Sequence, residues 1–423
     1  MDSFLLILDS FKTVFSLATY FWWVYLPILL YCFAYLALKN YTNLKYRLSL
    51  EWVLLEIRTP KEINKSLRAM DQIFTSLHGI YSVGLKWHAI LFKGAMPEWF
   101  SFEIVGKAGE THFYIRTLSK YKNLVEAQVY AQYPDSEIFE VPDYVNEMPL
   151  YLPDDKYDLW GTELILNKED AYPIRTYPDF EEKTTGPDVV KRIDPLASFS
   201  ELFSTLHHEE RIWIQIIANP VSDAWAKRGQ AVIAKLMGIE SPAQGDFLSN
   251  AVFAIDKAIS QIGPTPTVDP DKKPEKKEEK KKVDMTPGKQ DAIKAIEKSF
   301  DKLGYEAGIR FVYIGPKSDF HQAHVSGVAG AFKQFASQNL NGFKPNLRTL
   351  TFAKGLFKKS KLYNRKRILY QSIRERKLMT KRYVLNTEEL ATIFHFPDTA
   401  VKSPLLPRVE AKKGEPPVGL PLS

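Results

Sequence analysis

Only one cysteine, Cys32, stands in the 423 residues, and it lies inside the longest apolar run of the chain. No disulfide framework, thiolate metal cage or cysteine nucleophile outside that run is available, which fits a reducing compartment. A phosphate-gripping loop is missing too. A nucleotide motor needs G-x-x-x-x-G-K-[ST], because backbone amides cradle the phosphates while the lysine and hydroxyl meet phosphate and magnesium. The pairs Gly106-Lys107 and Gly288-Lys289 are followed by Ala108 and Gln290, with Ser101 and Val283 five positions before the glycine, so neither fits. There is no H-E-x-x-H helix for zinc and no G-x-S-x-G elbow for a serine hydrolase. His321 and His324 are spaced i, i+3 on an expected helix, and His207 to Glu210 reads HHEE. Neither has a companion ligand cluster elsewhere in the chain, so both read as surface histidines near helix ends, and no catalytic residue, metal or cofactor is expected.

Charge is absent over one long stretch. Thr13 to Leu38 runs for 26 residues without a charged residue, TVFSLATYFWWVYLPILLYCFAYLAL. At 1.5 Å per residue such a helix exceeds the ~30 Å hydrocarbon core and spans it with some tilt. A secretory signal would have a basic start, whereas Asp2 and Asp9 stand here against Lys12. We read residues 1–44 as a retained membrane anchor, with the transmembrane helix at about 13–38 and a kink at Pro27. Lys39, Lys45 and Arg47 follow the span and only Lys12 precedes it, so the positive-inside bias places the bulk of the chain in the cytoplasm.

The remainder has ordinary globular composition, with 45% hydrophobic and 25% charged residues and a net charge of +7. In EWVLLEIRTP the residues Val53, Leu55 and Ile57 alternate as on a strand. Thr59, Pro60 and Glu62 then read as a capping box opening a helix with Ile63, Leu67, Met70, Phe74 and Leu77 on one face. WFSFEIVG and THFYIRTL form a hairpin across Lys107 to Gly109, a helix follows from about Lys120 to Gln132, and EIFEV closes the unit. The order β-α-β-β-α-β over residues 49–142 predicts a ferredoxin-like domain in an α+β protein.

Pro142 to Pro153 reads as a linker. A second αβ domain is expected over 154–350, with strands YDLWGTELIL, RIWIQIIANP and GIRFVYIGP, helices near Leu196 to Leu206 and Ser222 to Met237, and the character of a degenerate repeat of the first. Inside it, residues 264–286 lack the apolar residues to form a core and balance seven lysines against six acids between Asp269 and Asp284, which predicts a disordered charged insertion. Thr286-Pro287 restarts a helix bearing Ile293, Ile296, Phe300 and Leu303, and another carries Val325, Val328, Phe332 and Phe335.

Residues 351–385 form a basic helical segment, with twelve Lys or Arg against Glu375 between Lys354 and Arg382. Lys358, Lys359, Lys361, Arg365, Lys366, Arg367, Arg374, Arg376 and Lys377 have the chemistry to neutralise nucleic-acid phosphates, with Phe357, Tyr363 and Tyr370 available for stacking. Anionic lipid headgroups, or an ordinary solvated face making a protein contact, would suit the same charges. Residues 386–423 comprise a short helix capped by Asn386 and a proline-rich tail.

EWVLLEIRTPKEINKSLRAMDQIFTSLHG, FSFEIVGKAGETHFYIRTL with YKNLVEAQVYAQYPDSEI, and LNTEELATIFHFPDTAVKSPLLPRVEAKKGEPP resemble the N-terminal half of bacterial conjugative-transfer or type IV secretion ATPases of the coupling-protein, HerA/FtsK-like kind. In that family the segment after RVEAKKGEPP leads into the motor with its phosphate-binding loop. The quoted residues carry no catalytic group, so ATP hydrolysis is not carried over. The resemblance implies a non-catalytic, single-pass subunit of the bacterial inner membrane within a DNA or protein translocation machine. It further implies a homo-oligomeric ring, a separate P-loop ATPase subunit as partner, and single- or double-stranded DNA as cargo. A scaffold binding only protein partners, and an enzyme with an unrecognised site between the αβ domains, are the alternatives.

Overall fold

The computed structural model describes residues 20, 22–60, 66–81, 86–182, 191–237 and 286–397. The first part of the expected span, Glu62 and Ile63, the charged insertion up to residue 285 and the tail from residue 398 lie outside the described residues.

Helix α1 (Trp22–Ser49) contains Pro27 and, with no glycine or further proline to stop it, runs on past Leu38 through Lys39, Lys45 and Arg47. Leu29 and Phe33 are 60% and 69% exposed, which a helix of the protein core would not tolerate. Among the described residues this is the one helix long and apolar enough to cross a membrane. Helix α2 (Arg68–Leu77) buries Met70, Phe74 and Leu77 as the periodicity requires. It opens at Arg68 rather than at Pro60, because Pro60 still belongs to the extended chain leaving the first strand.

Two sets of four strands share one strand order. The first comprises β1 (Trp52–Arg58), β2 (Phe100–Lys107), β3 (Glu110–Leu118) and β4 (Glu137–Glu140), ordered β2-β3-β1-β4. Between them lie α2, the short α3 (Trp87–Phe92) and α4 (Lys122–Gln132). The second set is β5 (Tyr157–Leu166), β8 (Arg211–Pro220), β9 (Gly304–Pro316) and β10 (Phe343–Pro345), ordered β8-β9-β5-β10. A two-residue ribbon pair, β6 (Glu181–Glu182) and β7 (Lys191–Arg192), sits apart. The second set carries α5 (Ala197–Ser204), α6 (Ala224–Leu236), α7 (Pro287–Phe300) and α8 (Gln322–Lys333). Every neighbouring pair is antiparallel, and β2 pairs with β8 from Phe100↔Ala218 to Lys107↔Arg211, joining both sets into one continuous sheet. The shared strand order agrees with the expected repeat, and the pairing makes one sheet of what the sequence divides into two units. After α9 (Lys358–Arg374), strand β11 (Tyr383–Asn386) pairs with the start of β9, and α10 (Thr387–Ile393) begins in a full Asn386/Glu389 capping box.

Alternation gives the sheet two different faces. On the first, Phe102, Ile104, Ile115, Ile214, Ile216, Ile309 and Phe311 pack under α2, α4, α5, α8 and α10. On the second, Leu54, Val105, Tyr114, Trp213, Val312 and Ile314 are covered by Leu369, Tyr370 and Ile373 of α9 and by Tyr144, Val145, Met148 and Leu152. The stretch from Pro142 to Pro153 is therefore a covering layer and not a linker, because its apolar side chains fill the second core.

The β2–β3 turn has two residues, Ala108 with φ 52° and Gly109 with φ 86°. Tight hairpins need this left-handed pair to match the strand twist, and alanine is poorly suited to it. Ala108→Asn is expected to stabilise the protein by about 0.5 kcal/mol, read as a higher midpoint in urea.

Candidate functional site

Helix α9 has no acidic residue, and only its C-terminal half has an apolar face. Leu369, Tyr370 and Ile373 pin that half to the sheet, while the opening turns stand free. The nine cations singled out in the sequence consequently separate. Lys358, Lys359 and Lys361 are exposed at the start of the helix, and Arg367 is exposed with its guanidinium over the Tyr151 ring at 4.9 Å. Lys377 is exposed beyond the helix. Lys366 is held by both oxygens of Asp158 at 2.6 and 2.8 Å. Arg365 donates to the carbonyls of Leu350 and Phe352, and Arg374 to Val145 O and Asn146 Oδ1.

Arg376 is removed from the nucleic-acid set. Its side chain is fully buried and bonds Glu103 through Nε and Nη2, both at 3.0 Å, and Asp143 at 2.6 and 2.8 Å. No phosphate has access to it. Glu103 belongs to a polar row crossing six strands of the second face, Glu56, Tyr114, Glu103, Gln215, Arg310 and Glu163, each directly opposite the next. Arg310 donates to Gln215 Oε1 at 2.9 Å and to Lys377 O at 2.6 Å, Gln215 donates to Tyr144 Oη at 2.9 Å, and Glu163 accepts from Met379 N at 2.7 Å. These bonds fasten residues 376–380 to the sheet. Burial pushes the Glu103 carboxyl up, but the Arg376 guanidinium and the hydrogen bonds from Arg376, Ser101 and Tyr144 outweigh it and leave it below the usual range. The sequence carried part of a signal for this row: Glu56 in VLLEI, Gln215 in IWIQII and Arg310 in GIRFVYI are lone charged or amide residues in apolar runs.

Where the fastened segment meets the foot of α1, a cavity of about 550 Å³ opens. Leu44, Leu48 and Leu378 give it an apolar side, and Arg47, Arg116, Lys377 and Arg382 a cationic one. Arg116 stacks over Trp52 at 4.3 Å and Trp99 at 5.7 Å, and burial holds its guanidinium down at about 10. Beside the cavity, α3 docks on α1: Thr42 Oγ1 donates to Leu91 O at 3.0 Å, and Gly94, with φ 66°, sits against the Thr42 carbonyl. Trp87 and Phe92 of α3 are exposed.

A second constellation lies at the other end of β8. The HHEE turn and the start of α8, unrelated in sequence, meet around Glu210, which is 1% exposed. His321 Nδ1 is 3.4 Å, His324 Nε2 3.5 Å and His207 Nδ1 4.0 Å from a Glu210 oxygen. His207, His208 and His321 do lie at the surface near helix ends, as expected, but the two groups are not apart: strand pairing of β8 with β9 makes each the companion that the other lacked in sequence.

A family model, domain of unknown function DUF8128, matches residues 29–406. The chain belongs to this family. No functionally curated protein matches it. The DUF8128 match begins within α1 and takes in both strand sets, α9 and α10, so the foot of the apolar helix, the polar row and the histidine turn all fall inside it.

Proposed function

We propose that this protein is a non-catalytic, single-pass subunit of a type IV secretion or conjugation-like translocation machine in the bacterial inner membrane, its α+β body held on the cytoplasmic side. The one observation that carries the reading is the foot of α1. The helix does not end in a free tether but packs on α3 and Gly94 and borders the cavity lined by residues of 375–382, contacts that support a span and body acting as one piece. Such a piece suits a fixed platform for a separate P-loop ATPase and for assembly into a homo-oligomeric ring. The two strand sets, each in the order of a ferredoxin-like unit, supply that platform. The exposed opening of α9, Lys358, Lys359 and Lys361, guides DNA toward the motor.

The full chain in nanodiscs, mixed with fluorescent single-stranded DNA across a salt series, tests the cargo. We expect Lys358→Glu, Lys359→Glu and Lys361→Glu together to weaken binding about tenfold and to flatten the salt dependence. Wild-type binding no tighter than to a neutral polymer at low salt would remove DNA from the reading. A second reading, contact with anionic lipid, is favoured by the amphipathic cavity at the foot of α1. In that case Arg47→Glu and Lys377→Glu lower retention on anionic vesicles while the three-lysine variant does not.

A further inference from the structure

We infer that His207, Glu210 and His321 form a binding site for a zinc-class divalent cation, with Asp319 as its outer support. One ligand atom from each of the three lies within 4.8 Å of the other two. Ligands at 2.0–2.1 Å around tetrahedral zinc stand about 3.3 Å apart, and His321 Nδ1 to Glu210 Oε1 is already 3.4 Å. His207, whose side chain is 64% exposed, holds its Nδ1 4.0 Å from the other carboxylate oxygen, Oε2.

A hydrogen-bond contact accounts for His207, whose Nδ1 lies 3.3 Å from Asp319 Oδ2, but not for the approach of His321 and His324 to Glu210. Glu210 already accepts from Tyr313 Oη and from the His207 backbone N–H at 2.7 Å, so its buried carboxylate is satisfied without any imidazole. Three histidine rings nonetheless converge on it, His207 against His321 and His321 against His324. The far nitrogen of His321, Nε2, lies 3.3 Å from Asp319 Oδ1, an ion-pair distance from which the carboxylate–imidazole–metal relay of a metal-bound histidine can form. Two carboxylates balance the 2+ charge, and imidazole with carboxylate suits zinc over magnesium or calcium. Two histidines and one glutamate leave a fourth position for water, with His324 close to the second Glu210 oxygen.

The ion would staple the turn before β8 to the beginning of α8, two segments more than a hundred residues apart. The test uses the full chain in detergent, stripped with chelator and titrated calorimetrically with zinc chloride, with cobalt as a spectroscopic probe. One equivalent of zinc with tetrahedral cobalt absorption is expected. His321→Ala and His207→Ala should each weaken binding at least tenfold, and Asp319→Asn about tenfold through loss of the relay. His208→Ala, altering an exposed neighbour in the same turn, should change nothing. Thermal melts of the stripped variants confirm that folding is kept, and His321→Gln replaces the alanine variant if it is not. Absence of saturable binding, or an equal loss on His208→Ala, overturns the site.

Discussion

Arg376→Ala is expected to destabilise the protein by about 3–5 kcal/mol, measured by urea denaturation of the detergent-solubilised chain. The guanidinium is the sole cation bonded to Glu103 among the described residues, and its removal leaves a fully buried carboxylate with Ser101 Oγ, at 2.6 Å, as its closest donor. Asp143, with a quarter of its side chain exposed, regains water and contributes less. The double variant Arg376→Met with Glu103→Leu removes both charges and should recover most of the loss, because a paired buried charge is replaced by apolar volume. The pH dependence follows from the sign. Glu103 has a folded-state pKa below its unfolded value, so its contribution is present above the ordinary carboxylate range and is lost as pH falls through the lower folded value. Arg376→Ala should flatten that acid limb. A single variant within about 1 kcal/mol of wild type would show that the row does not hold the segment.

Gly94→Ala is expected to release α3 from α1. A left-handed φ costs a non-glycine residue roughly 1–2 kcal/mol. The added Cβ would also stand 2.1 Å from the Thr42 carbonyl oxygen, backbone against backbone, so one element must move away from the other. Overpacking of this kind costs about 1–3 kcal/mol more. The measurement is limited proteolysis of the full chain in nanodiscs. Cleavage near residues 86–97 should accelerate at least tenfold while β2 and β8 stay protected. Unchanged cleavage would mean that α1 and the body are not locked together there, and the proposed rigid platform would lose its main support.

How much of this was legible in the sequence depended on whether the signal was local. YDLWGTELIL and RIWIQIIANP coincide with β5 and β8 because continuous apolar runs bounded by turns are local signals. Asn386 caps α10 as expected for the same reason. The positions that misled were long-range. Arg376 reads as one more cation in a basic run until Glu103, 273 residues away, is brought beneath it. His207 and His321 read as isolated until β8 and β9 are paired. The linker from Pro142 looked empty because a sequence does not say which face of a sheet still needs a cover. Helix α1 outlasted its apolar run because nothing from Lys39 to Arg47 breaks a helix, even though those residues no longer favour lipid.

The seam between β2 and β8 carries one more consequence. Each half places its longest edge strand against the other, and the margins that remain among the described residues, β4, β10 and β11, are only four, three and four residues long. A fragment ending before β5 would present the whole of β2 as an open, sticky ribbon, ready to template fibrils or to zip onto its own copy. Joining the halves in one chain buries both long edges in the β2–β8 pairing, so the described sheet offers a neighbour only short strands.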